Sequence, residues 1–251
     1  SDPQGGPVSY SADLSFANGR IMDAAVMHSD TSAPPGPDHP GAFFGRRKGR
    51  PLRTGQTRLF DTLLPTVCVD LHSSAPASLA ALFPDQPREV RLEIGFGGAE
   101  HLIAQAAANP DCGFIGVEPF INGMAKALAA IDAKGLTNIR LHHGDAVDLL
   151  AWLPDASLAK VYLLYPDPWP KRRHWKRRFV QERTIAEIAR VLRPGGEFRF
   201  ASDIEDYAAW TLIRMLRAPD FAWTAERADD WRKPWPEFQS TRYENKAKRE
   251  G

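Results

Sequence analysis

Residues Tyr165-Pro166-Asp167-Pro168-Trp169-Pro170-Lys171 place one carboxylate between two prolines, next to an aromatic ring. A nearly unbroken cationic run follows, from Arg172, Arg173 and His174 through Trp175, Lys176 and Arg177 to Arg178. The preceding stretch, Ala159 to Tyr165, is mostly apolar and reads as a buried strand. Proline cannot donate to a central ladder and restricts its neighbour, so that strand must stop at Pro166. An acid held at a strand end beside a phosphate-sized basic patch points to chemistry on a nucleic acid. Plainer roles fit the same residues: Asp167 as a helix N-cap or turn acid, Trp169 as a packed ring, and Lys171 to Arg178 as a solvated face. Trp175 within the run favours phosphate binding, because cations interleaved with aromatics suit an exposed nucleic acid.

The elements that must position this acid come as an alternation of strand and helix from Arg88 onward. Strands are predicted at Val90 to Ile94, Gly113 to Val117, Ile139 to His142, Leu158 to Leu164 and Gly196 to Ala201. Helices are predicted at His101 to Ala108, Asn122 to Ala133 (stopped by Gly135), Ala146 to Trp152, Phe179 to Leu192 and Glu205 to Arg217. This order implies an α/β fold, a parallel sheet with helices on both faces.

A second chemical feature lies at the first strand-to-helix turn, Leu92-Glu93-Ile94-Gly95-Phe96-Gly97-Gly98-Ala99-Glu100. Glycines let a backbone approach a ligand closely, and a helix N-terminus offers unpaired N–H groups. Glu118 ends the second strand, where a carboxylate can accept both hydroxyls of a ribose. Asp145 ends the third and is a candidate partner for the amino group of an adenine. A dinucleotide fingerprint wants a third glycine or alanine three residues after the second. Glu100 stands there, and Glu93 adds a further anion just before the loop. A cationic sulfonium tolerates that field and a pyrophosphate does not, so the loop favours S-adenosylmethionine over NAD.

The rest of the 251 residues sets bounds. A hydrophobic content of 43% and a charged content of 25% are those of an ordinary globular protein. No apolar stretch approaches the roughly 20 residues needed to span a bilayer. The net charge of +1 hides clustering: Arg46, Arg47, Lys48, Arg50, Arg53 and Arg58 have no acid among them. Flanking Phe43, Phe44, Leu59 and Phe60 favour a docked basic arm over a free tail. Cys68 and Cys112 lack metal spacing and form no disulfide framework, which fits a reducing cytoplasm. His101, His142 and His143 have no acid or cysteine partner at metal spacing, so no metal is expected. Residues 1–40, rich in Gly, Pro, Ser and Asp, read as a disordered leader. Ser1 to Arg20 reads as a tag or an upstream extension, with Met22 or Met27 as a candidate start, and no signal peptide is visible. The expected organisation is therefore a leader (1–40), a basic arm and docking segment (41–87) and a catalytic domain (88–251).

On these motifs the chain resembles the bacterial tRNA (guanine-N7)-methyltransferases of the TrmB type, from about Phe44 through Glu244. The residues that carry the resemblance are Leu92 to Gly97, Pro166-Asp167-Pro168-Trp169 with Lys171, Ala201-Ser202-Asp203 and Thr241-Arg242-Tyr243-Glu244. The resemblance implies a Rossmann-like class I methyltransferase sheet with a basic N-terminal arm. It implies methyl transfer from S-adenosylmethionine to N7 of a guanine in the tRNA variable loop. Glu93, Gly95, Gly97, Glu118, Asp145 and Asp167 would then bind the cofactor, and Asp167 would also be the catalytic position. Lys171, Asp203, Thr241, Arg242, Tyr243 and Glu244 would bind the substrate. Arg46, Arg47, Lys48 and Arg50, with Arg172, Arg173, Lys176 and Arg177, would contact the RNA backbone. The implied partner is tRNA, with no membrane and no metal, for a cytoplasmic monomer or homodimer.

Two departures from the family pattern carry expectations. Ala99 replaces a frequent glycine and is expected to cost a little backbone room. The family runs on past Thr241 to Glu244 into a final antiparallel strand, whereas this sequence stops at Gly251, so that strand is expected to be absent or outside the residues given. Competing readings are a methyltransferase acting on an exocyclic amine and a non-catalytic RNA-binding module. Retention of all four candidate acids argues against the second.

Overall fold

The structure, a computed structural model, describes residues 12–19, 44–45 and 47–232. Arg46, the motif Thr241 to Glu244 and most of the leader lie outside the described residues. Along the chain come β1 (Ala12–Asn18), α1 (Thr54–Thr62), α2 (Leu64–Val67) and a 3-10 turn at Leu79–Leu82. Next are β2 (Glu89–Ile94), α3 (Glu100–Ala108), β3 (Cys112–Val117), α4 (Ile121–Lys134), β4 (Ile139–His142), α5 (Ala146–Trp152) and β5 (Leu158–Leu164). A 3-10 turn at Arg172–Arg177 precedes α6 (Glu182–Val191), β6 (Leu192–Ser202), α7 (Glu205–Arg217), β7 (Phe221–Trp223) and α8 (Asp229–Arg232).

The strands form one sheet in the order β4-β3-β2-β5-β6-β1-β7. β2 to β6 are mutually parallel, as the alternation requires. Their side chains are apolar on both faces, because helices cover both. In β3, Cys112 and Phe114 join the helical residues Leu102, Met124 and Leu128 on one face. Ile115 and Val117 point the other way, toward Leu149, Ile185 and Ile188. The period-2 alternation of a strand produces this split. Order reverses between β2 and β5, the place where an open α/β sheet leaves a crevice beyond its carboxyl ends.

The leader is where the structure departs most from the sequence-based expectation. Residues 12–18 do not follow that expectation; they form β1, inserted antiparallel between β6 and β7. Ala12, Leu14 and Phe16 are buried, and Phe16 stacks on Phe198 with ring centroids 6.4 Å apart. Asn18 donates from Nδ2 to the carbonyls of Ala189 (3.1 Å) and Leu192 (2.7 Å), at the C-terminal end of α6. The antiparallel position that the resemblance gives to a C-terminal strand is thus filled from the N-terminal side. A short alternating run inside a Gly/Pro-rich segment carries too weak a period to be read as a strand alone. Its pairing partner, β6, supplies the rest.

Smaller differences have local causes. The helix expected from Phe179 starts at Glu182, because Arg178, Phe179 and Val180 turn into the core before Gln181 caps it. β6 begins at Leu192, running through the Arg193-Pro194-Gly195-Gly196 turn. Ala99 lies in the left-handed region (φ 65°, ψ 14°) with its methyl fully buried. Its cost is therefore conformational, of order 1–2 kcal/mol for an L-residue, and not one of room.

Candidate active site

Carboxyl ends of four of the parallel strands, β2 to β5, gather the predicted acids around one cavity of about 340 Å3. Glu93, Gly95, Gly97, Glu118, Asp145 and Asp167 all line it. Glu93 lies next to last in β2, and Glu118, Asp145 and Asp167 follow within three residues of the ends of β3, β4 and β5. Glu118 accepts from Gly97 N–H at 2.8 Å with Oε2 and from Phe120 N–H at 2.9 Å with Oε1, so it braces the glycine loop. Burial pushes its carboxyl above the usual range; those two backbone donors pull the other way, and the negative charges of Asp167 and Glu93 add to the rise. Asp145 caps α5, accepting from Val147 N–H at 3.0 Å. Asp167 caps nothing: the next helical turn starts at Arg172, with Lys171 at its N-cap. Its carboxyl is open to the cavity mouth, yet desolvation by the surrounding walls still raises its pKa.

Close packing holds the glycine loop. A Cβ on Gly123, in the first turn of α4, would lie 2.4 Å from the Gly97 carbonyl oxygen and 3.0 Å from Glu118 Cγ. Gly123→Ala gains up to about 1 kcal/mol of helix propensity. It is nevertheless expected to destabilise by about 1–3 kcal/mol, since the clash is with backbone that cannot move aside cheaply. Denaturant midpoints at unchanged slope check this; a stabilised variant would show that the loop is looser than its packing implies.

Residues that the sequence did not single out complete the walls. His101 has no acid at metal spacing, but the fold of the glycine loop brings its Nδ1 to 2.7 Å from Glu93 Oε2 in a buried contact. Its ring also meets Tyr162 edge-on, 4.9 Å between centroids. The pairing spans the glycine loop, so linear spacing gave no sign of it. Phe44 and Phe179 line the cavity as well. Arg177, expected on the RNA backbone, lines it too, 5.0 Å from the Trp169 ring and 5.7 Å from Phe44.

The basic arm is docked, as its flanking apolar residues implied. Ile121 N–H donates to Arg47 O at 3.0 Å, Gly49 N–H to Asn122 Oδ1 at 2.9 Å, and Asn122 Nδ2 to Arg50 O at 2.7 Å. Arg47, Lys48 and Arg50 are exposed, as are Lys171, Arg172, Arg173 and Lys176. Lys171 and Asp203 do not line the cavity. Asp203 is exposed at the end of β6, and it does not cap α7: Ile204 N–H donates instead to Ser202 Oγ at 3.1 Å. Arg178 breaks the pattern of the cationic run, being buried and turned inward.

Five carboxylates, Glu100 among them, line a cavity whose described lining contains one arginine, an arrangement that suits a cationic nucleoside and repels a pyrophosphate. Among the described residues no cluster of His, Cys, Asp and Glu is grouped to hold a metal ion, and no helix is long and apolar enough to cross a membrane. Parallel sheet, glycine turn and acid-lined crevice are those of a Rossmann-like methyltransferase, and the Methyltransf_4 family of methyltransferases matches residues 87–251. The chain is 60% identical over 222 residues to the tRNA (guanine-N(7)-)-methyltransferase of Nitrobacter hamburgensis, covering 88% of this chain and 87% of that protein. It is 57% identical over 225 residues to the tRNA (guanine-N(7)-)-methyltransferase of Bradyrhizobium diazoefficiens, covering 90% and 95% respectively. The chain belongs to the tRNA (guanine-N(7)-)-methyltransferase family. Among solved structures, the aminoglycoside resistance methyltransferase NpmB1 is 23% identical over 52% of this chain and 63% of its own, with a TM-score of 0.38.

Proposed function

We propose that the chain transfers the methyl group of S-adenosylmethionine to N7 of a guanine in the variable loop of tRNA, in the cytoplasm. The observation that carries this reading is the convergence of Glu93, Glu118, Asp145 and Asp167 on one cavity, with Arg177 in its wall and the exposed cations Lys171, Arg172, Arg173 and Lys176 just before it in the chain. S-adenosylmethionine supplies a methyl group activated by a sulfonium. Glu118 and Asp145 would hold its nucleoside, and Glu93, paired with His101, would offset the positive charge of the sulfonium.

Guanine N7 already carries an in-plane lone pair, so no base has to remove a proton from it. What remains for the protein is positioning, which by itself can supply much of the acceleration in an in-line transfer. Asp167 accepts hydrogen bonds from the guanine edge and favours the positive charge that develops on the purine. Lys171, Asp203 and Thr241 to Glu244 are assigned to the nucleoside and its flanks. Arg46, Arg47, Lys48, Arg50, Arg172, Arg173 and Lys176 are assigned to tRNA phosphates, and Arg177, from the cavity wall, to the target nucleotide.

The cavity acids give the cofactor step a pH dependence. Glu118 and Asp167 hold their protons to higher pH in the fold than in the unfolded chain, because burial disfavours the charged forms. Ionising them costs stability as pH rises through the raised pKa values, and a bound cation reverses that preference. Cofactor affinity is therefore expected to fall on acidification, starting above the ordinary carboxylate range, with protons released on binding. Calorimetry in buffers of different ionisation enthalpy reads the release; a heat independent of buffer would contradict it.

Incubation with unmodified tRNA and labelled cofactor, followed by mapping of the methylated nucleoside, tests the proposal. The expected product is 7-methylguanosine in the variable loop. A methylated exocyclic amine, or no product, would overturn it.

A further inference from the structure

Arg178 closes the cationic run, yet its side chain is fully buried. Its Nε donates to the Pro168 carbonyl at 2.8 Å, and its Nη2 pairs with Asp206 in the first turn of α7. Three rings enclose the guanidinium: its carbon lies 5.0 Å from the centroid of Trp175 and 4.9 Å from those of Tyr207 and Trp210. Nη1 is buried with no hydrogen-bond partner among the described residues. Stability alone does not account for such a group. A buried ion paired with one half-exposed carboxylate is often no better for the fold than an apolar side chain of similar volume.

What Arg178 joins is more telling. Pro168 sits between Asp167 and Trp169, in a loop where Tyr165 (φ 50°) and Trp169 (φ 43°) both adopt left-handed backbone. Such conformations in bulky residues persist only where the surroundings over-determine them. Arg178 grips the carbonyl immediately before the strained Trp169. Through Asp206 it also reaches the helix that begins just after Asp203.

We propose that Arg178 is a positioning residue for methyl transfer: it holds the Pro166 to Trp169 loop in its strained form, sets the place of Asp167, and ties that loop to the Asp203 turn so that the two substrate-side loops act as one piece. This rests on the function proposed above. Arg178 touches neither substrate nor cofactor and acts through the loop it fastens. Lysine cannot replace it, because a single ammonium lacks the planar fork that reaches Pro168 and Asp206 at once and stacks among three rings.

The test compares Arg178→Lys, Arg178→Met and Asp206→Asn with the unaltered protein, using tRNA and S-adenosylmethionine at saturation. In a folded Arg178→Lys variant, single-turnover methylation is expected to fall by about 30-fold or more, since misplacement by about 1 Å can cost that much. S-adenosylhomocysteine affinity should change less than about twofold, and hydrogen exchange across residues 163–171 should quicken about tenfold with the glycine loop unchanged. Asp206→Asn, at a half-exposed site, should give a smaller loss of the same kind. It decides the matter if neither Arg178 variant folds. An unchanged single-turnover rate, or a loss shared equally by cofactor affinity, would overturn the proposal. If the unaltered protein leaves tRNA unmethylated, the functional reading fails, and loop exchange still decides the role of Arg178.

Discussion

Asp167→Ala is expected to lower the single-turnover rate of methyl transfer by roughly 10²–10³-fold, the usual cost of removing a preorganised group aimed at developing charge. Cofactor affinity should fall by less than about tenfold, because Glu93, Glu118 and Asp145 remain in the cavity wall. Asp167→Asn divides the effect further. Asparagine keeps the size and one acceptor oxygen but loses the charge. If the carboxylate mainly orients the guanine, the asparagine variant keeps most of the rate. If it stabilises the purine cation, both variants lose alike, and the second outcome is expected because methylation at N7 leaves a positive charge on the purine that a carboxylate offsets and an amide does not. Rates measured on pre-bound tRNA in rapid-quench experiments separate the cases. A near-normal rate for Asp167→Ala would remove Asp167 from the catalytic position.

The second large effect concerns stability and lies far from the acids in sequence. Phe16→Ala is expected to cost about 3–5 kcal/mol, the range for a buried phenylalanine in a packed core. Against a typical total of about 5–15 kcal/mol, that is a large fraction. Phe16 is fully buried, stacks on Phe198 and belongs to the cluster that includes Leu14, Phe200 and Tyr207. Denaturant unfolding should show a lowered midpoint at unchanged slope. Removal of residues 1–19 should be worse: β6 becomes an open apolar edge, a template for aggregation, and β7 loses its strand partner among the described residues. A peptide spanning residues 10–20 added to the shortened chain should restore solubility. A shortened chain that melts like the intact one would show that β1 contributes nothing to the fold.

Much of the architecture was legible because it is periodic. β4, β5, α5 and α7 have the bounds that hydrophobic patterning assigns, and Gly135 closes α4 in the left-handed conformation that a helix-ending glycine adopts. The acids were legible for a related reason: in a parallel sheet the last polar residue of a strand is delivered to one edge. Glu93, Glu118, Asp145 and Asp167 needed only the alternation to be placed together. Contacts between distant segments were not legible. His101 meets Glu93 only because the glycine loop folds back on itself, and Asn122 reaches Gly49 and Arg50 across the interval between the arm and α4.

By itself, then, the sequence determined the sheet, the helices and the edge where chemistry occurs, since each follows from local period and from prolines and glycines that stop a strand or admit a turn. It also determined that this edge is acidic, because the alternation alone places Glu93, Glu118, Asp145 and Asp167 there. Tertiary structure alone decided that β1 completes the sheet, that Arg178 faces inward while its cationic neighbours face water, and that the strained Asp167 loop has something to hold it. The physical reason is the same in all three: a short strand, a cation and a left-handed backbone are each unfavourable alone, and only partners remote in the chain make them stable.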